Sequence, residues 1–223
     1  MSQAFNFNDA NEAKRHVQRK PDREVMDKAE IYSILDATNI AHIGFVDPDT
    51  QEAVVIPMGY ARHNDTLLIH GSTGGRMLMA LKSGIQICVT VTLLDGIVIA
   101  RSAFHSSMNY RSVMAFGVPR VLEGDEKLDG LRDITNGLVP GFWEHARPMT
   151  AKEAAQTMVL ALELDQVSGK KRTGGVNDDE EDLALPIWAG VLPVRTVVDA
   201  PIVDPAAAHI ATPDYAVNLT HKP

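Results

Sequence analysis

The chain has 223 residues, room for one large domain or two small ones at about 100–200 residues each. Hydrophobic residues make up 45% and charged residues 22%, as in ordinary globular proteins, so a core can form without disulfides or metals. Lysine and arginine number 21 against 29 aspartates and glutamates, and the resulting net charge of −8 excludes the basic footprint of a non-specific DNA or RNA binder.

The chain opens on a polar segment rich in Asn, Lys and Arg, without periodicity, which reads as an arm over residues 1–21. It has no basic patch followed by an apolar run, so it is not a signal peptide. Asp27-Lys-Ala-Glu30 has capping-box form, and Ile31, Ile34 and Leu35 follow at helical spacing, predicting a helix to about Thr38. Residues 40–46 and 53–61 flank the turn signal Asp47-Pro48-Asp49 and predict a hairpin. A further strand is expected over 66–70, then a Gly/Ser loop and a helix over 76–81. Residues 85–93 and 97–104 read as two strands joined by an Asp95-Gly96 turn. The single cysteine, Cys88, lies in the first of them, where it reads as an inert core residue. One cysteine cannot form an intrachain disulfide, which points to a reducing compartment. No apolar stretch reaches the roughly 18–20 residues of a membrane span. A cytoplasmic protein without membrane or nucleic-acid partners is expected.

Residues 110–122 predict a long strand bent or edged at Gly117 and Pro119. Leu128, Leu131, Ile134 and Leu138 then follow helical spacing, and Thr150-Ala-Lys-Glu153 opens another helix. Residues 160–167 read as a strand, 168–182 as a charged loop, and 187–198 as a last strand. From residue 201 the composition of Ala, Pro and Asp predicts a tail with little fixed structure. Many short strands with few helices between them indicate an α+β, mainly β, barrel or sandwich.

Three segments carry candidate chemistry. In His70-Gly71-Ser72-Thr73-Gly74-Gly75-Arg76 a strand runs into a glycine loop that opens a helix. Backbone amides, hydroxyls and the Arg76 fork there could cradle a phosphate. The glycine spacing is neither a Walker loop nor a dinucleotide fingerprint, and a plain turn with a solvated Arg76 is the competing reading. Phe104–Val113 is densely polar, and Arg111 and Ser112 must point to opposite faces of their strand, so one of them faces the interior or a cleft. A polar surface loop is the alternative. In Ile187-Trp188-Ala189-Gly190, a ring beside a glycine suits stacking on a planar ligand, whereas a core tryptophan is the plainer reading. His42, His63, His70 and His105 lie on separate segments without metal-ligand spacing. No nucleophile elbow occurs.

Ile56-Pro57-Met58-Gly59-Tyr60, the loop from His70 to Arg76, Asn109-Tyr110-Arg111-Ser112-Val113 and Trp188-Ala-Gly-Val-Leu-Pro193 occur in that order. Together they resemble the pyridoxamine 5′-phosphate oxidase-like flavoproteins, in particular the branch of nitroimidazole-resistance and flavin-nucleotide-binding proteins. The resemblance implies a six-stranded split β-barrel of FMN-binding type with flanking helices over residues 22–200, between the arm and a tail at 201–223. It implies a homodimer with flavin at the subunit interface. Arg76 and Ser72 would hold the FMN phosphate, with His70, Gly71 and Gly75 shaping the loop. Pro57, Met58 and Gly59 would run along the flavin ring, and Arg111 and Ser112 would contact the ribityl chain or phosphate. Trp188 and Gly190 would approach from the neighbouring subunit. FMN is the expected cofactor, with FAD or haem as alternatives. The expected activity is reduction of a small electron-poor acceptor, nitroaromatic or quinone-like, by a nicotinamide donor. A flavin-binding protein without turnover is the alternative. The nitroimidazole-resistance proteins usually carry Lys where Arg76 stands. The C-terminal Arg-containing segment that holds substrate in authentic pyridoxamine phosphate oxidases has no counterpart here.

Overall fold

The structure is a computed structural model that describes residues 16, 17 and 19–221. Most of the expected N-terminal arm lies outside the described residues. Its last part is anchored where His16 Nδ1 and the Val17 amide both meet the Glu24 carboxylate, at 2.8 and 3.0 Å.

The first helix, α1 (Lys28–Leu35), starts as the sequence predicts. The Asp27 carboxylate accepts the Glu30 amide at 2.8 Å, and Ile31, Ile34 and Leu35 are buried. Its last carbonyl, that of Leu35, accepts the Tyr60 hydroxyl at 2.5 Å and ties the helix to the sheet. β2 (Ile40–Val46) and β3 (Ala53–His63) form the expected hairpin, and β2 alternates exposed with buried residues. β4 (Thr66–Ser72) returns beside β3 through a turn in which Asn64 has φ +50°. α2 (Arg76–Lys82) then buries Leu78 and Leu81.

Three sequence expectations are corrected in the following strands. The two strands expected around Asp95-Gly96 are one, β5 (Ile87–Ile99), with a bulge between Leu94 and Gly96. The neighbouring β6 (Ser107–Gly117) pairs with both halves, so a chain reversal has no place there. Gly96 also admits a close neighbour, because a Cβ at that position would lie 3.1 Å from the Leu192 carbonyl oxygen. The long strand expected over 110–122 breaks near Pro119, leaving β7 (Arg120–Val121) as a separate piece. The loop expected over 168–182 begins as a strand, β9 (Val167–Arg172), because β6 offers it a full ladder and buries Val167, Ser168 and Gly169. The last strand, β10 (Gly190–Pro193), has four residues and ends at a proline. Beyond it Val197, Val198 and Ile202 are exposed.

Among the helices, α3 (Gly124–Leu138) buries Leu131 and Ile134, while Leu128 and Leu138 at its ends are exposed. α4 (Ala151–Gln156) has both bonds of its capping box: Glu153 N–H to Thr150 Oγ1 at 3.2 Å and Thr150 N–H to Glu153 Oε2 at 2.8 Å. It leads directly into β8 (Thr157–Glu163). The tail is not featureless. A short helix, α5 (Asp214–Val217), carries Tyr215 against Phe142 and His145 at ring distances of 5.5 and 5.1 Å.

Every strand pair is antiparallel, in the order β1-β9-β6-β5-β2-β3-β4-β8-β7, with β1 (Glu24–Val25) at one end and β10 added to β5. The sheet bends on itself without closing, which is the expected split barrel, built among the described residues from ten strands rather than six, of which β1 and β7 have two residues each. The main core fills its inner side with α1 and α2 packed in, from Val25, Ile31 and Ile34 through Ile43, Ile69 and Val89 to Leu160. A smaller cluster of Ala61, Leu68, Leu131, Ile134 and Val159 lies under α3. No helix among the described residues is long and apolar enough to cross a membrane.

Candidate functional site

The loop after β4 is tightly bonded. Thr73 N–H reaches Gln156 O at 2.9 Å, Gly74 N–H reaches Ser72 Oγ at 3.3 Å, and Gly75 N–H reaches Ser72 O at 2.9 Å. Three of the amides that a phosphate could have used are thus committed within the protein. Arg76 donates from Nη2 to Asp47 Oδ2 at 2.8 Å, although its side chain is 74% exposed. Asp47 is buried at the hairpin turn, where its Oδ1 also accepts the Asp49 and Thr50 amides. Those amides, Thr50 first, and the guanidinium hold the Asp47 carboxyl below the usual range against the opposing effect of burial. Arg76 is therefore oriented by a fixed carboxylate while one side of its fork remains open to solvent.

His70 precedes this loop on β4. Its Nδ1 is buried with no hydrogen-bond partner among the described residues. Burial pushes the imidazole below its ordinary pKa, so the ring is neutral at pH 7. Gly71 lies against Leu78 and Met58: a Cβ there would be 3.1 Å from Leu78 Cδ1 and 3.9 Å from Met58 Cε. This brings two of the predicted segments together, with Met58 packed on the main core.

The outer face of the sheet collects another part of the predicted set. Strand alternation places Met58 inward and Pro57 and Gly59 outward, and both outward residues are exposed. Pro57 lies opposite His42, His42 opposite Thr90, and Thr90 opposite Met114, so one row crosses four strands. Ser112 points to the same side as Met114. Ile40, Val46, Val55 and Leu94 add exposed apolar surface there. Cys88 is also on this side, opposite Gly44 and Phe116, and is half-buried rather than a core residue. Arg111 faces the other way and is held by Asp95 through bonds of 2.9 and 2.7 Å. That carboxylate raises its guanidinium pKa further.

Trp188 lies just before β10 and is 63% exposed, so the core reading of this residue is corrected. Its ring folds onto Gly190, where a Cβ would lie 2.8 Å from Trp188 Cζ2. The glycine is what allows the ring to come this close to the strand. Sheet order separates the predicted residues: β2 and β5 stand between β3 and β6, and β10 extends the distal half of β5.

Sequence reading missed two groups. His42 is one of several histidines scattered along the sequence, and its place in an alternating strand is the signal that marks it as outward-facing. The basic run Lys170-Lys171-Arg172 has loop composition, yet in the strand alternation puts Lys170 and Arg172 on one side and Lys171, paired with Glu30, on the other. No group of three or more metal-ligating side chains occurs among the described residues.

Residues 27–171 match the protein family described as pyridoxamine 5′-phosphate oxidase. The chain belongs to this family. No curated protein matches the sequence. Among solved structures, the flavocytochrome Anf3 from Azotobacter vinelandii is 39% identical, with 95% of this chain and 99% of that one covered and a TM-score of 0.87. The FAD and haem binding protein from Mycobacterium smegmatis is 37% identical over 89% of this chain and 97% of its own, with a TM-score of 0.85. A protein assigned to 5-nitroimidazole antibiotic resistance from Bacteroides thetaiotaomicron shares the fold at 24% identity and a TM-score of 0.53, over 66% of this chain and 85% of that one. The first two similarities cover 95% and 89% of this chain.

Proposed function

We propose that the protein is a flavin- and haem-binding redox protein that works as a homodimer. The observation that carries the reading is His70: an imidazole kept neutral by burial, with an unpartnered nitrogen, is the form that donates to a haem iron. Its support from outside the chain is the near full-length similarity to a flavocytochrome and to an FAD and haem binding protein. When bound, the flavin supplies two-electron and the haem one-electron chemistry.

The chain's own groups suit these cofactors. Pro57, His42, Thr90 and Met114, with Gly59 beside them, line up across the outer sheet face as a surface for a ring system. Ser72, Arg76 and Ser112 are the groups assigned to the flavin's polar chain, with Asp47 fixing the Arg76 guanidinium. A second copy covering the exposed Ile40, Val46 and Val55 makes the dimer and brings its own Trp188 and Gly190 to this surface. The electron donor is a reduced nicotinamide and the acceptor a small electron-poor molecule.

The absorption spectrum of the protein, expressed with iron and flavin precursors available, tests this. A flavin band together with a Soret band is expected, and His70→Ala removes the Soret band while keeping the flavin. A preparation lacking both chromophores refutes the proposal, and a Soret band unchanged in His70→Ala removes His70 from it.

A further inference from the structure

One pocket concentrates the positive charge that this acidic chain elsewhere neutralises. A cavity of about 540 Å³ is lined by Arg19, Lys20, Arg23, Lys170 and Arg172, and no carboxylate is among its described lining residues. The contrast with the rest of the surface is clear. Arg62, Arg76, Arg101, Arg111, Arg120 and Arg147 each hold an aspartate or glutamate.

Among the described residues the pocket's cations have no such ion-pair partners. Glu24 lies across the ladder from Lys170, but its carboxylate is taken by His16 and the Val17 amide. Arg172 is oriented by neutral acceptors, Asn109 Oδ1 at 2.5 Å and Gly175 O at 3.3 Å, which fix its direction and leave its charge. Arg19, Lys20, Arg23 and Lys170 form no ion pair among the described residues. Like charges gathered this closely repel one another, and an anion with several oxygens relieves that repulsion.

The remaining wall is chosen for more than a bare anion. Ser107 and Asn177 add neutral hydrogen-bonding groups. Phe104 stands at the pocket with 88% of its surface exposed, edge-on to His105 at 5.1 Å. His105 is held in turn by Asp179 at 3.0 Å. An exposed aromatic ring beside a basic pocket suits a base joined to a phosphate chain, and the cavity is within the usual size of small-ligand sites.

We propose that this pocket binds a nucleoside diphosphate, with Arg23, Lys170 and Arg172 on the pyrophosphate and the base on Phe104. The ligand is the free nucleotide or the ADP half of a dinucleotide, of flavin or of nicotinamide type. The site does not need His70; Lys170 lies opposite Ser112 and so projects from the same sheet face, and the inference rests on the flavin reading only where the ADP belongs to FAD.

The test is calorimetric titration of the full chain, as purified, with ADP, alongside Arg23→Ala/Lys170→Ala and Phe104→Ala. ADP binds the wild type, and the double variant loses about tenfold or more, as expected for two charged contacts. Phe104→Ala weakens ADP but not inorganic pyrophosphate, and Lys170→Arg keeps binding. Competition by NADPH identifies the nicotinamide source. Where co-purified flavin already fills the pocket, ADP gives no heat in the wild type, but the double variant retains FAD about tenfold less well and FMN equally well. Absence of ADP binding, together with unchanged FAD retention in the double variant, overturns the proposal and leaves the flavin-and-haem reading standing.

Discussion

Replacing Gly169 by alanine tests how the N-terminal strand is held. Gly169 lies opposite Val25 in the β1–β9 ladder. An added Cβ would sit 2.6 Å from the Val25 carbonyl oxygen, 2.9 Å from Val25 Cβ and 3.3 Å from Ile31 Cγ1. The first two atoms cannot rotate away, so β1 must lift from the sheet. Val25, 2% exposed, then leaves the core. Losing that burial costs about 1.5–3 kcal/mol, and the opened ladder bonds add about 1 kcal/mol each. Alanine restricts the unfolded chain and returns less than about 1 kcal/mol, so the net loss is about 2–4 kcal/mol. Urea unfolding followed by far-UV circular dichroism reads this as a midpoint lowered by about 1–2 M at a slope of about 2 kcal/mol/M. Arg23 is displaced with β1, so ADP affinity falls as well. A midpoint within about 0.3 M of wild type would refute the argument that backbone contact at Gly169 fixes β1.

Other substitutions probe separate parts of the structure. Tyr60→Phe leaves the buried Leu35 carbonyl without its donor and is expected to cost about 1–2 kcal/mol in the same urea assay; no loss means that bond contributes nothing. Gly190→Ala pushes the exposed Trp188 ring outward, so tryptophan emission changes while stability stays within about 1 kcal/mol, and an unchanged spectrum argues against the stacked ring. The Glu153 carboxyl is pulled from 4.5 to about 2, mainly by Arg147 and then by the Thr150 amide. The unfolded chain therefore binds the proton first: the stabilisation is complete above the unfolded value and is lost as pH falls toward 2. Glu153→Gln flattens that acid limb in urea titrations between pH 5 and pH 2, and an identical limb removes Glu153 from the account.

Much of the fold was legible because local chemistry and tertiary structure agree. Asp27 and Thr150 cap helices where they stand, and the period-two pattern of residues 40–46 survives as alternating burial in β2. Legibility failed where a neighbour decides the outcome. Asp95-Gly96 has turn chemistry, yet β6 runs past both halves of β5 and converts the turn into a bulge. Ser168 to Arg172 has loop composition, but β6 and β1 enclose it as an inner strand. For the candidate site, Pro57, Gly59 and Ser112 could be placed by strand alternation once β3 and β6 were recognised. The Asp47–Arg76 and Asp95–Arg111 pairs could not, since they join residues 29 and 16 positions apart through tertiary contacts. Nor could the basic pocket, which joins residues near position 20 to others beyond position 100 and beyond position 165.

The half-buried sulfur of Cys88 on the outer sheet face gives the protein a built-in reporter. With a single thiol per chain, a nitroxide attached there marks one known point without any mutation. Two chains facing each other about a twofold axis would show one sharp label-to-label separation by pulsed electron resonance, whereas lone chains would show none.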